Sequence, residues 1–291
     1  MRHDNPVPVA LARLLRYAPA MLKRTIPSSG EQVAAVGVGT WQGFDVGSGA
    51  ADRAPRRKVL EALLDGGASV VDSSPMYGRA EGVAGDLLAE TGRRGEAFIA
   101  TKVWTSGRDK GIRQMEDSFR LFRTDTIDLM QVHNLVDWRI HMATMKGWKA
   151  EGRFRYVGYT HYRPQSFADL MTAMRTDPVD FVQFCYSIDE RDAEADILPF
   201  CAANGVATLI NLPFGGGSLV RGLKGRPLPQ LAAELDCRTW AQFCLKYVIS
   251  HPAVTCAIPG TSNPAHMADL LAAGEGEMPD EATRREMARL F

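Results

Sequence analysis

Residues 98–133, FIATKVWTSGRDKGIRQMEDSFRLFRTDTIDLMQVH, read as a strand, a helix and a second strand. The runs 98–102 and 127–133 are short, apolar and rich in Phe, Ile, Leu and Val, as strands buried on both faces tend to be. Between them, 110–122 places Ile112, Met115, Phe119 and Phe122 three or four residues apart, the spacing that gives a helix one apolar face. A helix joining two strands is the connection that returns the second strand parallel to the first. Each run also closes on an ionisable side chain, Lys102 and His133.

Outward from this unit the pattern repeats. Strand candidates fall at 36–40, 69–72, 156–160, 181–184, 207–211 and 254–259, which makes eight with the two above. Helix candidates lie between them at 55–65, 82–90, 141–150, 164–174, 192–203, 239–250 and 264–273, two of them opening on a proline near the first turn. Eight strand–helix units predict a single-domain α/β fold, a (β/α)8 TIM barrel. A doubly wound sheet shares the alternation, but the count and the chemistry at the strand ends favour the barrel. Thr25-Ile26 and 33–36 flank Ser28-Ser29-Gly30, a turn sequence, so a small hairpin is expected ahead of the first strand.

The barrel is expected over 24–291, with 1–23 as an N-terminal extension. Residues 7–22 are apolar-rich, and Ala18-Pro19-Ala20 has the small residues of an export cleavage site, yet Arg13 and Arg16 interrupt the apolar stretch. An amphipathic extension on a cytoplasmic protein is expected; a periplasmic location would follow if 1–20 act as an export signal.

Of the 291 residues, 45% are apolar and 23% charged, ordinary for a globular chain. Lys plus Arg equals Asp plus Glu at 34 each, which argues against a nucleic-acid partner. No run reaches the roughly 18 apolar residues of a membrane span. The five cysteines form no C-x-x-C pair and the histidines show no ligand spacing, so no metal is expected. G-x-G-x-x-x-G at 37–43 has the wrong last spacing for a dinucleotide fingerprint. No Tyr is followed by Lys four residues on, and no G-x-S-x-G elbow exists, so a short-chain dehydrogenase and a serine hydrolase are unsupported.

Asp72 ends the second strand, and Tyr77 follows in VDSSPMYG. Lys102 and His133 end the next two strands, and strand ends converge at the active-site face of a barrel. A free tyrosine, with pKa near ~10, is a poor acid at neutral pH. An adjacent Lys102 ammonium is expected to lower that value, with Asp72 pairing the lysine and His133 offering a second hydrogen bond. Such a set suits protonation of an oxygen as hydride reaches the neighbouring carbon.

VDSSPMYG, FIATK and LMQVH, in this order and on these strands, resemble the tetrad motifs of the aldo-keto reductase superfamily. GVGTWQ (37–42), VQFCYS (182–187), LPFGGGSL (212–219) and AIPGTSNPAHMADLL (257–271) resemble further segments of it, so the likeness spans about 24–275. The resemblance implies reduction of aldehydes or ketones with Asp72, Tyr77, Lys102 and His133 as the catalytic tetrad. It implies cofactor contacts from Gly39, Thr40, Trp41, Thr160 and His161. Gln183 would hold the nicotinamide carboxamide and Tyr186 would stack on the ring. Pro213, Phe214, Gly215 and Gly217 would cover the pyrophosphate, and Gly260, Ser262, His266 and Asp269 would meet the adenosine phosphate. Two departures stand out: Thr160-His161 replaces Ser-Asn, and Ser262 stands where a basic residue usually grips the 2′-phosphate. NADPH is therefore expected, with weaker discrimination against NADH. Trp41 and Trp104 are expected to line the pocket of a small carbonyl substrate, apolar or aromatic, and the loops after the strands are expected to be short. A monomer is expected. The competing reading is an NADPH-binding redox sensor or regulatory subunit with little turnover.

Overall fold

The computed structural model describes residues 21–291; residues 1–20 of the extension expected at 1–23 lie outside the described residues. Strands β1 (Lys23–Thr25) and β2 (Gln32–Ala34) pair antiparallel, Arg24 opposite Val33, and form the expected hairpin. Eight parallel strands follow: β3 (Val38–Gly39), β4 (Val70–Asp72), β5 (Phe98–Val103), β6 (Ile127–His133), β7 (Phe154–Thr160), β8 (Phe181–Cys185), β9 (Ala207–Asn211) and β10 (Cys256–Ala257). They lie side by side in sequence order. The outer two meet through single bridges, Val36 with Ala257 and Gly39 with Gly260, so the barrel is nearly closed.

Helices α1 (Ala50–Asp65), α2 (Ala80–Glu90), α3 (Arg108–Phe122), α4 (Trp138–Ala150), α5 (Phe167–Thr176) and α6 (Ile197–Asn204) join the strands. The last connection holds α7 (Ser218–Gly222), α8 (Gln230–Glu234) and α9 (Trp240–Ser250), and α10 (Pro264–Ala272) and α11 (Glu281–Ala288) end the chain. Helix α1 begins five residues before the expected 55, so Pro55 sits inside it. The long connection that holds α7 and α8 also corrects the expectation of uniformly short loops: apolar Leu219 and Ala232 dock these two helices on the barrel.

Alternation along the strands decides what faces the lumen. Val70, Phe98, Ala100, Leu129, Tyr156, Phe181, Ala207, Leu209 and Cys256 form one buried cluster with Ile26 and Val33 of the hairpin. The hairpin thus closes the N-terminal end of the barrel. Tyr156 donates its phenolic hydrogen bond to hairpin atoms, Ser29 Oγ or the Glu31 carboxylate, at 2.7 and 2.6 Å. A second, larger cluster fills the space between sheet and helices. On β4 to β9 most strand positions two or four residues beyond the apolar lumen layer are polar, and these build the site.

Candidate active site

Asp72, Lys102, Gln131, His133, Thr160 and Gln183 each keep the lumen parity of their strand, and all are buried. They form a polar layer above the apolar one. Lys102 Nζ donates to both Asp72 oxygens at 2.9 and 2.7 Å and to the Ser73 carbonyl at 2.6 Å. Gln183 Nε2 donates to Asp72 Oδ1 at 3.1 Å, and Thr160 donates to Gln183 Oε1 at 2.6 Å. The chain Thr160–Gln183–Asp72–Lys102 therefore ends on an ammonium with three acceptors, as a cation this deeply buried requires.

Tyr77 stands above it on the turn between β4 and α2, with its ring centroid 5.1 Å from Lys102 Nζ. The His133 ring lies edge-on to it at 6.3 Å, and Trp104 lies 6.4 Å from His133. The structure thus brings all four expected tetrad residues together at one cleft of about 820 Å³, lined by Asp72, Tyr77 and His133 over the Lys102 ammonium.

The electrostatics depart from the sequence expectation at Tyr77. Burial pushes its phenol above the ordinary value; Lys102 pulls it down and Asp72 pushes it up, so the lysine offsets desolvation without overcoming it. Lys102 is itself desolvated, yet Asp72 and Tyr77 hold its ammonium above the usual range. For His133, burial and the Lys102 charge push the imidazole down to about 3, so it is neutral at ordinary pH.

Among the cofactor candidates, Gly39, Trp41, Thr160, Gln183, Pro213, Phe214, Gly217, Gly260 and Ser262 line the same cleft. Thr40 is buried behind it, donating to Ser73 Oγ at 2.8 Å. The His161 ring serves its own turn: Nδ1 accepts from Tyr162 N–H at 3.0 Å and Arg163 N–H at 3.2 Å, and Nε2 meets Ser166 Oγ at 3.2 Å. Tyr186 is directed away from the cleft and meets Arg284 and Glu194 through its hydroxyl. Gly215 and His266 are exposed and outside the lining, and Asp269 accepts from Thr239 Oγ1 and Gln242 Nε2, tying α10 to α9.

Among the lining residues that the sequence reading did not name, three carry polar chemistry that bears on a ligand. Asn211 ends β9 with lumen parity; its Nδ2 donates to the His161 carbonyl at 3.3 Å, and its buried Oδ1 has no partner. Asn134, next to His133 and at φ 53°, likewise has a buried Oδ1 without a partner. Arg221 follows the glycine run and, with Asp72, is one of two charged residues in the lining; a Cβ on Gly217 would stand 2.8 Å from its Nη1. Asp72 is already neutralised by Lys102, which leaves a positive excess at the Arg221 end of the cleft. Trp41, Met76, Trp104 and Tyr162 are 51, 41, 42 and 42% exposed, and all four line this mouth. The chemistry of the donor set fits a dinucleotide: amide-accepting oxygens near the tetrad, a glycine cradle where bulk would intrude, and a cation for phosphate.

No helix among the described residues is long and apolar enough to cross a membrane. A family profile described as "Aldo/keto reductase family" matches residues 35–286. Methylglyoxal reductase YeaE of Escherichia coli (strain K12) is 30% identical over 266 residues, 89% of this chain and 92% of that protein. Aldo-keto reductase YhdN of Bacillus subtilis (strain 168) is 29% identical over 214 residues, 68% of this chain, and the match spans 62% of that protein, under two thirds of its length. A crystal structure of an aldo-keto reductase from Klebsiella pneumoniae in complex with NADPH superposes with TM-score 0.78 at 27% identity, over 93% of this chain and 96% of that one.

Proposed function

Since this chain belongs to the aldo/keto reductase family, we propose that it reduces aldehydes or ketones to alcohols with NADPH, Tyr77 supplying the proton. When bound, the dihydronicotinamide supplies hydride from its C4 to the carbonyl carbon. The protein's own residues do the rest. Tyr77 and His133 flank the place where the carbonyl oxygen would sit, and the two hydrogen bonds strengthen as charge builds on that oxygen. The phenol proton then moves to the oxygen, and the Lys102 ammonium stabilises the tyrosinate left behind. Asp72, Gln183 and Thr160 hold that ammonium in place. Trp41, Met76, Trp104 and Tyr162 shield the reacting atoms from water and favour an apolar substrate body.

The observation that carries this reading is the buried Asp72–Lys102 pair, 2.7 Å apart, beneath a tyrosine that shares a cleft with a neutral histidine. For the cofactor, the unpartnered Asn211 Oδ1 would accept from the carboxamide NH2, since both ends of the Gln183 amide are already engaged. Arg221 would take the pyrophosphate. Loss of NADPH absorbance with a panel of aldehydes, wild type beside Tyr77→Phe, tests the proposal. Turnover by the wild type, reduced about 10²-fold or more in the variant, is expected for removal of a general acid. Tight NADPH binding with no turnover in either protein would overturn it.

A further inference from the structure

Ser74 lies two residues past Asp72, fully buried, between the tetrad and the turn that carries Tyr77. Its hydroxyl oxygen stands 3.2 Å from His133 Nδ1. The backbone N–H of Met76 donates to the same oxygen at 3.4 Å. Among the described residues the Ser74 hydroxyl has no other partner, and His133 Nε2 has none at all.

These contacts bear on where the imidazole keeps its hydrogen. A neutral imidazole carries one N–H, and which nitrogen bears it is decided by the partner of the other. With the hydrogen on Nδ1, that N–H would donate to Ser74 Oγ. The Ser74 hydrogen would then have no acceptor inside the protein, and a buried donor without a partner is unfavourable. Nε2 would also present a lone pair to the cleft and repel a carbonyl oxygen. With the hydrogen on Nε2, Ser74 accepts from Met76 and donates to Nδ1. The Ser74 hydroxyl and His133 Nδ1 are then both satisfied, and an N–H faces the cleft.

We propose that Ser74 is a positioning residue that selects the Nε2–H tautomer of His133, so that the ring donates a hydrogen bond to the carbonyl oxygen. The catalytic consequence rests on the carbonyl-reductase reading above; the tautomer itself does not. Long-range proton–nitrogen NMR of the 15N-labelled protein without cofactor reads the tautomer directly, with a His133→Gln variant identifying the signals. The wild type should show Nε2–H alone. Ser74→Ala should populate Nδ1–H and lose about tenfold in kcat/KM, with Kd for NADPH unchanged, and Ser74→Cys should restore part of both. A purely structural role for Ser74 would leave the ring signals unmoved. Nδ1–H in the wild type would overturn the proposal even if the variants fail to fold, and so would an Ala variant that keeps Nε2–H and full activity. Expected NMR signals without turnover in any protein would sink the reductase reading while leaving the tautomer assignment standing.

Discussion

Glu81 shows how much one buried side chain can report. It sits on α2 with its Oε1 accepting from Thr101 at 2.6 Å and Ser118 at 2.9 Å, and it is 3% exposed. Burial raises its carboxyl to about 7, the two hydrogen bonds opposing. The folded protein therefore holds this proton after the unfolded chain, with an ordinary value near 4.5, has released it. Stability from this group is complete below pH ~4.5, falls as pH rises, and levels off above pH ~7. The loss is about 3 kcal/mol. Urea melts at pH 5 and pH 8 should show that slope in the wild type, and Glu81→Gln, which keeps the acceptor oxygen, should flatten it and raise stability at pH 8. A variant with the wild-type slope would assign the pH dependence elsewhere. The clustering of Asp72, Lys102 and His133 was legible at this scale because each ends an apolar run. Period two along a strand explains the rest. Tyr186 is three residues beyond Gln183, an odd step that turns it off the lumen face, and His161 is one step off Thr160. Asn211, two residues past Leu209, has the right parity and was readable by the same rule. The raised Tyr77 phenol was not readable, because desolvation depends on what the folded chain stacks around the ring.

Among the elements, α2 approaches α3 closely at Gly85. A Cβ on Gly85 would stand 2.0 Å from the Leu121 carbonyl oxygen and 2.7 Å from Phe122 Cα, both backbone atoms that side-chain rotation cannot move. Alanine is the better helix former by about 1 kcal/mol, but overpacking of this kind costs about 1–3 kcal/mol or more. Gly85→Ala is expected to lower Tm by several degrees, measured calorimetrically, while the folded fraction keeps its kcat; a raised Tm would mean the two helices separate freely. Helices α1 to α6, α9 and α10 were legible in the sequence, with ends shifted by up to about five residues. Helices α7 and α8, five residues each, are too short to show a period, and α11 buries only Arg284 and Met287.

For the whole molecule, the cleft lies across the place where the barrel is least firmly closed. Gly39 and Gly260, the bridge between the outer strands, both line it. A ligand seated there would tie the two edges together and favour the folded state by mass action. At 100 times Kd that amounts to about 2.7 kcal/mol. NADPH should then raise Tm by roughly 5–10 °C for a chain of this size. Arg221→Ala, by weakening binding about tenfold through loss of a charge-assisted contact, should roughly halve the gain at the same ligand concentration. An unchanged gain would remove Arg221 from the phosphate site. The eight-fold repeat that decides this architecture was legible in the sequence. The path of the chain between β9 and β10, and so the placement of Arg221, was not, since it depends on how short helices dock rather than on any periodic signal.

The hairpin that stoppers the barrel sets Lys23, exposed at its start, at the end of the molecule opposite the tetrad. A carrier surface coupled through that end would leave the mouth pointed into the stream. Reactants would then pass its open side, provided the anchor is confined to the hairpin, since Lys58, Lys110 and Lys224 are exposed elsewhere.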